Sequence, residues 1–207
     1  MIVFKPVVLP AGISPSMNGK LEPCQLTAVT VPGVGHLSLH PTAARAWNAL
    51  QVSLYAATGL SLSATGAYRS YGAQVQVFEA RYTPTYNPLV NVLTSTRTWL
   101  GKKWYLRRKM FPVAVPGTSN HGLGIAVDMG FWTGQHLPGL ADVAAVTDSR
   151  YVKGWDYLTE HAERFGWSWE GAKPGQAGWE PHHIRYVAGD NIPQAVLDVE
   201  AFIAAHS

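Results

Sequence analysis

The stretch Pro116-Gly117-Thr118-Ser119-Asn120-His121-Gly122-Leu123-Gly124-Ile125-Ala126-Val127-Asp128-Met129-Gly130 is the part of the chain from which the fold is best predicted. It begins with turn formers, passes through a histidine between glycines, and becomes a short apolar strand that ends in an aspartate. A neutral imidazole and a carboxylate are both ligands for zinc, and glycines let a chain fold closely around an ion. His121 and Asp128 alone are a weak indication, because they converge only if the glycines fold the loop back.

A second cluster, Trp179-Glu180-Pro181-His182-His183-Ile184-Arg185-Tyr186, strengthens that indication. A histidine from a neighbouring strand would complete three protein ligands and leave one coordination position open, as in hydrolytic zinc sites. Glu180 lies three residues before His183, where a carboxylate near the metal can move a proton between the attacking water and the leaving amine. Arg69 follows a predicted strand and precedes a predicted helix, so it is either a surface arginine or a cation that faces the cleft.

Length and composition indicate one globular domain. The chain has 207 residues, of which 47% are hydrophobic and 14% charged. We therefore expect a single domain over residues 1–207, with an extended N-terminal segment at 1–36 and a core at about 37–207. Cys24 is the single cysteine, which excludes an intramolecular disulfide and a cysteine-based zinc knuckle.

The predicted elements form an α+β domain, in which helices pack on a small, mainly antiparallel sheet. Apolar periodicity predicts helices that begin at Pro41, after Ser70, after about Asp148 and near Pro193. Alternation predicts strands at 60–64, 167–169 and 183–187. Residues 83–116 show no strong period and are interpreted as a long functional or mobile connection.

A basic group, Lys102, Lys103, Arg107, Arg108 and Lys109, lies in that connection beside Trp104 and Tyr105. Such a group suits either nucleic-acid binding or a solvated loop beside an active site, and we favour the loop. The net charge of +3 is mild and would help the protein to approach an anionic polymer such as a cell wall or nucleic acid. The first residues lack the pattern of a signal peptide, and we expect no membrane span.

The chain resembles the zinc D-alanyl-D-alanine peptidases of the VanY type in two metal motifs, Ser119-x-His121-x-x-Gly124-x-Ala126-x-Asp128 and Glu180-x-x-His183. This family includes carboxypeptidases, dipeptidases and peptidoglycan endopeptidases. The resemblance covers about residues 40–195, through the further segments Tyr68-Arg69-Ser70-Tyr71-x-x-Gln74, Phe165-Gly166-Trp167 and Ile184-Arg185-Tyr186-Val187. It implies a single-domain fold shared with hedgehog signalling domains.

The resemblance also implies roles for individual residues. One Zn²⁺ ion would be held by the ligands His121, Asp128 and His183. Glu180 would be the general base and then the general acid, and Arg69 would contact the scissile carbonyl or a substrate carboxylate. Ser119 and Gln74 would line the substrate pocket or support the residues that do.

The chain departs from the family at His182, where the family usually has tryptophan. Consecutive strand residues face opposite sides, which favours His183 over His182 as the ligand. The remaining histidines have no companion ligand in a local motif and are expected to be ordinary surface or core residues: His36, His40, His136, His161 and His206.

The expected substrate is the stem peptide of bacterial peptidoglycan, with a monomer as the acting form. Removal of a terminal D-alanine and cleavage inside the stem, for example between L-alanine and D-glutamate, both stay open. A phage lysin, released through a holin or carried in the virion, would suit a chain without a leader. The alternative is a non-catalytic, metal-containing module that binds the cell wall, although such a module has no need of Glu180.

Overall fold

The computed structural model describes residues 5–132, 136–137, 151–169, 180 and 182–206. The helices are α1 (Pro41–Thr58), α2 (Tyr71–Arg81), α3 (Val152–His161) and α4 (Gln194–His206). The strands are β1 (Thr27–Val31), β2 (Gly35–Leu39), β3 (Ser61–Gly66), β4 (Tyr82–Thr83), β5 (Asn91–Trp99), β6 (Lys102–Arg107), β7 (Ala126–Trp132), β8 (His136–Leu137), β9 (Trp167–Trp169) and β10 (His183–Tyr186). Short 3₁₀ helices lie at Pro15–Met17, Pro23–Gln25, Asn120–Leu123 and Ala162–Phe165.

The central sheet has the strand order β3-β7-β10-β9, and β8 pairs with β7. All these pairings are antiparallel. Strand β7 therefore lies between β3, from the first half of the chain, and β10, from the second half. Its side chains Val127, Met129 and Phe131 are buried. The predicted α+β class with a small antiparallel sheet is confirmed.

Helix α1 has the ends that the sequence predicts. The His40 side chain accepts a hydrogen bond from the Thr42 N–H, Pro41 is the first helical residue, and Gly59 ends the helix with φ 71°. Its inner face carries Trp47, Leu50 and Leu54, all with 0% exposure. Burial of each such side chain contributes about 1.5–3 kcal/mol, so α1 is anchored by its apolar face.

The N-terminal segment belongs to the core rather than only covering it. Strand β1 pairs with β2 in antiparallel register, and Val29 and Val31 are buried. Ile13 and Leu21, from the turns before β1, are buried in the same cluster.

The interpretation of residues 83–116 as a connection without regular structure is wrong, because β4, β6 and β5 form a three-stranded antiparallel sheet there. A tight turn joins β5 to β6, and both of its residues, Leu100 (φ 49°) and Gly101 (φ 71°), have positive φ. Positive φ at both central positions is the geometry of a two-residue hairpin turn, but leucine is an unusual residue at the first of them. This sheet packs on α2 through a separate cluster of buried residues, the aromatic cluster Phe78, Tyr82, Trp99, Trp104 and Leu106.

The sequence also predicts a polar, glycine-containing loop that runs to about residue 148 and a turn-rich hairpin connection at 171–178. Most of that loop and all of the hairpin connection lie outside the described residues. Among the helices that the structure does describe, none combines the length and the hydropathy needed to cross a membrane.

Candidate metal centre

Three side chains from two separate parts of the chain converge at one end of the central sheet. In the pairing of β7 with β10, His183 lies directly opposite Asp128. Residues opposite each other on antiparallel strands share a face, so both side chains point the same way. His121, from the 3₁₀ helix before β7, joins them, and the ligand atoms of the three residues all lie within 4.8 Å of one another.

The orientation of the His121 ring is fixed by the backbone. Its Nδ1 lies 2.8 Å from the carbonyl oxygen of Ala67, which can only accept, so Nδ1 carries the proton and donates. When the ring is neutral, its lone pair is on Nε2, which lies 3.3 Å from Asp128 Oδ1. Two acceptors that face each other at this distance require a cation between them, either a proton or a metal ion.

Asp128 is ionised at neutral pH. Burial alone would raise the pKa of this carboxyl, but the hydrogen bond and charge of His121, with the charges of His183 and His182, hold it well below its usual range. The carboxylate has room because residue 66 is a glycine: a Cβ there would lie 3.1 Å from Asp128 Oδ2.

Arg69 is held beside the three ligands by both its backbone and its side chain. Its backbone N–H donates to the carbonyl oxygen of His121 at 3.1 Å. Its Nη2 lies 3.3 Å from Asp128 Oδ2, and its Nη1 donates to Gln74 Oε1 at 3.0 Å. Gln74 is 2% exposed, and its Nε2 donates to the carbonyl oxygen of Ala114 at 2.7 Å. Gln74 therefore contacts Arg69 directly, and its role stays a prediction.

Glu180 lies on the accessible side of the group. Its Oε2 is 3.9 Å from His183 Nδ1, and its side chain is 49% exposed. The backbone N–H of His183 donates to the Glu180 carbonyl at 2.9 Å, which closes the turn between the two residues. A half-exposed carboxylate next to a ligand is accessible to solvent and to a substrate.

His182 lies closer to the ligands than strand alternation predicts. It precedes β10 in a turn, so the alternation does not apply to it, and its Nε2 is 4.0 Å from Asp128 Oδ1. Burial lowers the pKa of the His182 imidazole, and the neighbouring imidazoles lower it further against the opposing effect of Asp128 and Glu180. His183, and not His182, belongs to the group of possible metal ligands in the described residues.

The loop that carries His121 is held by residues that the sequence analysis missed. Asn18 Nδ2 donates to the carbonyl oxygen of Ser119 at 2.7 Å. The Gly19 N–H donates to the Gly122 carbonyl at 2.6 Å, and the Gly19 carbonyl accepts from the Tyr71 N–H at 2.8 Å. Ser119 itself is 6% exposed, and the contacts described here are made by its backbone.

Two imidazoles and one carboxylate are the donor set of several catalytic zinc sites, and the separation of the ligand atoms and the acceptor pair of His121 and Asp128 fit a zinc ion. The residues present therefore fit the cofactor that the sequence motifs imply.

The family model for VanY, described as D-alanyl-D-alanine carboxypeptidase, matches residues 36–189. The chain belongs to this family. Its members are zinc-dependent peptidoglycan hydrolases, so the prediction of a zinc metallopeptidase is confirmed at the level of the family. Among curated protein sequences, none matches the chain significantly.

Solved structures are similar to this VanY family member. The LdcB LD-carboxypeptidase, whose structure concerns peptidoglycan recognition, has 22% sequence identity and a TM-score of 0.56, over 89% of this chain and 76% of that chain. VanYB in complex with D-alanine-D-alanine has 18% identity and a TM-score of 0.48, over 96% and 93% of the two chains. A VanY D,D-pentapeptidase in complex with Zn(II) has 19% identity and a TM-score of 0.47, over 87% and 92%.

Proposed function

We propose that the chain is a zinc-dependent carboxypeptidase that removes the terminal D-amino acid from peptidoglycan stem peptides. The observation that carries this proposal is the convergence of His121, Asp128 and His183, with the Arg69 guanidinium on one side and the Glu180 carboxylate on the other. A ligand set alone suits a structural metal site as well. A cation and a half-exposed carboxylate beside it are the groups that peptide hydrolysis needs.

His121, Asp128 and His183 would hold the ion. The chemistry that a bound zinc ion supplies is that of a Lewis acid, which polarises a carbonyl and lowers the pKa of water. The chain's own contribution begins with the hydrogen bond from His121 Nδ1 to Ala67, which presents Nε2 to the site.

Glu180 is proposed as the group that moves the proton. Its carboxylate takes a proton from the attacking water as the water oxygen bonds to the scissile carbonyl carbon. It then donates that proton to the nitrogen of the leaving amino acid as the C–N bond breaks. The exposed position of Glu180 suits this role, because the carboxylate must reach both the water and the departing amine.

Arg69 is proposed as the cation that stabilises negative charge on the substrate. Its contacts with Asp128 Oδ2 and Gln74 Oε1 restrict the guanidinium to one orientation. A donor that is already oriented needs little reorganisation when the oxyanion forms. Gln74 and Ser119 are proposed as supporting residues, through the amide of the first and the carbonyl of the second.

Digestion of a synthetic stem pentapeptide and of purified peptidoglycan tests this function. We expect the zinc-loaded wild type to release free D-alanine, measured by mass spectrometry of the new termini. Glu180→Gln should retain zinc and lose about 10²–10⁴-fold in kcat, the typical contribution of a general acid–base. Glu79→Gln, which changes an exposed glutamate on α2, is the matched control and should keep full activity.

The same digestion separates the alternatives. New amino termini at D-glutamate would show that the protein is an endopeptidase and not a carboxypeptidase. Loss of turbidity of a wall suspension would then support a phage lysin, because only internal cleavage opens the cross-linked wall. If a fully zinc-loaded protein produces no new termini, the function to adopt is that of a non-catalytic wall-binding module. A monomer stays a prediction, which light scattering of the purified protein tests.

A further inference from the structure

The three-stranded sheet β4-β6-β5 and the residues that flank it carry a net positive charge, whereas the rest of the chain is net negative. Residues 82–115 contain six lysines and arginines and neither aspartate nor glutamate: Arg97, Lys102, Lys103, Arg107, Arg108 and Lys109. Because the whole chain has a net charge of +3, the remaining residues carry a net charge of −3. The positive charge of this protein is thus concentrated on one structural unit, which is typical of a surface that binds a polyanion.

We propose that the solvent face of this sheet, here called the outer face, binds an anionic cell-wall glycopolymer whose sugar or polyol units are joined by phosphates. The choice of the cell wall as the source of the polymer rests on the proposed function. The surface itself is a binding site distinct from the metal centre.

The alternation of β6 defines the outer face. Trp104 and Leu106 are buried in the aromatic cluster, so Lys103, Tyr105 and Arg107 point to the opposite side of the sheet. The register adds three hydroxyl side chains to that side: Thr98 is opposite Lys103, and Thr96 and Thr83 are opposite Tyr105. The outer face therefore combines cations, hydroxyls and an aromatic ring.

The aromatic part of the outer face is already assembled. The ring of Tyr86 lies 5.1 Å from the ring of Tyr105, and Lys103 Nζ lies 5.6 Å from the centroid of the Tyr105 ring. A ring with a cation above it offers an apolar platform for a sugar or polyol unit and a charge for the phosphate next to it. Threonine hydroxyls beside the platform both donate and accept hydrogen bonds, as sugar hydroxyls require.

The layer beneath the outer face makes it rigid. Phe78 stacks on Tyr82 with ring centroids 4.7 Å apart and meets Trp99 and Trp104 edge-on at 5.2 and 5.3 Å. A packed aromatic layer of this kind fixes the strands above it, so little conformational entropy is lost when a polymer binds.

The metal centre and the segment that follows the three-stranded sheet are connected through Gln74. This side chain bonds to Arg69 at the metal centre and to the Ala114 carbonyl in the segment that follows β6. A polymer on the outer face would hold the enzyme on the wall beside its stem-peptide substrate. Retention of this kind raises the local substrate concentration without any new contact in the active site.

Cosedimentation of the zinc-loaded, full-length protein with purified Gram-positive walls tests the proposal. The walls are used intact and after hydrofluoric acid treatment, which removes phosphate-linked polymers and leaves peptidoglycan. We expect the wild type to bind treated walls about tenfold more weakly than intact walls. The double variant Lys103→Gln/Arg107→Gln should bind intact walls about tenfold more weakly than the wild type.

Two further variants separate recognition from charge. Lys153→Gln/Arg164→Gln removes the same charge from exposed positions outside the three-stranded sheet and should bind like the wild type. Tyr86→Ser keeps the charge but removes half of the aromatic platform, and it should weaken binding to intact walls at unchanged salt dependence. All variants should release D-alanine from a soluble pentapeptide at the wild-type rate, which distinguishes failure of this proposal from failure of the proposed function.

Three results would overturn the proposal. Equal binding of the wild type to treated and intact walls would assign retention to peptidoglycan itself. An equal loss in both double variants would reduce the effect to net charge. Tighter binding to single-stranded DNA or to anionic lipid vesicles than to intact walls would assign the outer face to a different partner.

Discussion

The Gln74 side chain accepts a hydrogen bond of 3.0 Å from Arg69 Nη1 and uses its own amide N–H to reach Ala114, 40 residues further along the chain. A buried amide thus restrains the guanidinium together with Asp128. Because Arg69 also contacts a proposed metal ligand, Asp128, we expect this amide to affect the metal centre without touching it.

Gln74→Ala should disturb the orientation of Arg69 more than the binding of the substrate. Arg69 loses the acceptor that restrains it, and we expect kcat on a stem pentapeptide to fall about 10–100-fold, as for other groups that orient a reacting residue, with KM changed much less. Gln76→Ala, at an exposed position of the same helix, is the control and should change neither. A fall in stability with an unchanged kcat would show that Gln74 is structural only.

The ligand assignment predicts different effects for the two adjacent histidines. Loss of a residue that only supports a metal ligand weakens metal affinity roughly 10–100-fold. His183→Ala removes a proposed ligand itself and should weaken zinc affinity by more than that. His182→Ala should keep a full equivalent of zinc. Zinc content by plasma mass spectrometry measures both. The reverse pattern would make His182 the ligand and would require a different path for β10.

Removal of zinc should lower the melting temperature. Held by His121, Asp128 and His183, the ion would link β7 to β10 and bind only the folded chain, so zinc at about 1,000 times its Kd should add about 4 kcal/mol to the free energy of unfolding. For a chain of this size that corresponds to a rise in Tm of roughly 10 °C. Differential scanning calorimetry with and without chelator measures the change, and the His183→Ala variant should show almost none.

Gly122 has no space for a side chain. A Cβ at this position would lie 2.1 Å from Asn18 Oδ1 and 2.7 Å from the Gly19 backbone nitrogen. Gly122→Ala should therefore lower the free energy of unfolding by about 1–3 kcal/mol and weaken zinc binding through the displaced His121 loop. At Gly72, in the first turn of α2, a Cβ would meet nothing within 4 Å, so Gly72→Ala should be neutral or stabilising. Equal effects of the two alanines on zinc affinity would disprove the role of this close contact.

The raised pKa of Tyr186 predicts that the free energy of unfolding falls in alkaline solution. The pKa of Tyr186 is raised to about 12, mainly by burial; the charge of Arg45 opposes this rise, and that of Asp190 adds to it. The unfolded phenol ionises near pH 10, so the contribution of Tyr186 to stability is complete below pH 10 and is lost as the pH rises toward about 12.

Tyr186→Phe removes this effect and also a buried hydroxyl that has no hydrogen-bond partner in the described part of the chain. An unsatisfied buried hydroxyl costs about 1–3 kcal/mol, so the variant should be at least as stable as the wild type at pH 7. Its free energy of unfolding should also fall less than that of the wild type between pH 10 and 12. Urea unfolding at several pH values measures both effects. Tyr55→Phe, at a 59% exposed position, should follow the wild-type pH dependence.

Local signals predicted the elements around the metal centre correctly. Pro41 and Gly59 mark the ends of α1, and the Ser70 side chain caps α2 by accepting a hydrogen bond from Ala73 N. Gly166 follows the helical region that begins with α3, with φ 80°. These residues act through their own backbone conformation or within one helical turn, so they can be read from a few neighbouring positions.

The remaining features depend on contacts that a local pattern does not contain. The bond from Asn18 to Ser119 spans 101 residues, and nothing near either residue indicates it. Strands β5 and β6 were missed because their turn has leucine rather than asparagine before glycine, and because β5 has threonines at both exposed and half-buried positions. The approach of His182 to Asp128 depends on where β10 begins, which the alternation of a strand does not fix.

Gly19 places a limit on the order in which the protein can fold during synthesis. Its carbonyl bonds to Tyr71, but its N–H bonds to Gly122, which leaves the ribosome roughly 5–20 s later at ordinary rates of translation. His183 follows later still, only after β7 has been made. A growing chain therefore holds neither a fixed His121 loop nor the complete set of proposed metal ligands until most of it has been synthesised, and we expect zinc to be acquired as one of the last steps of folding.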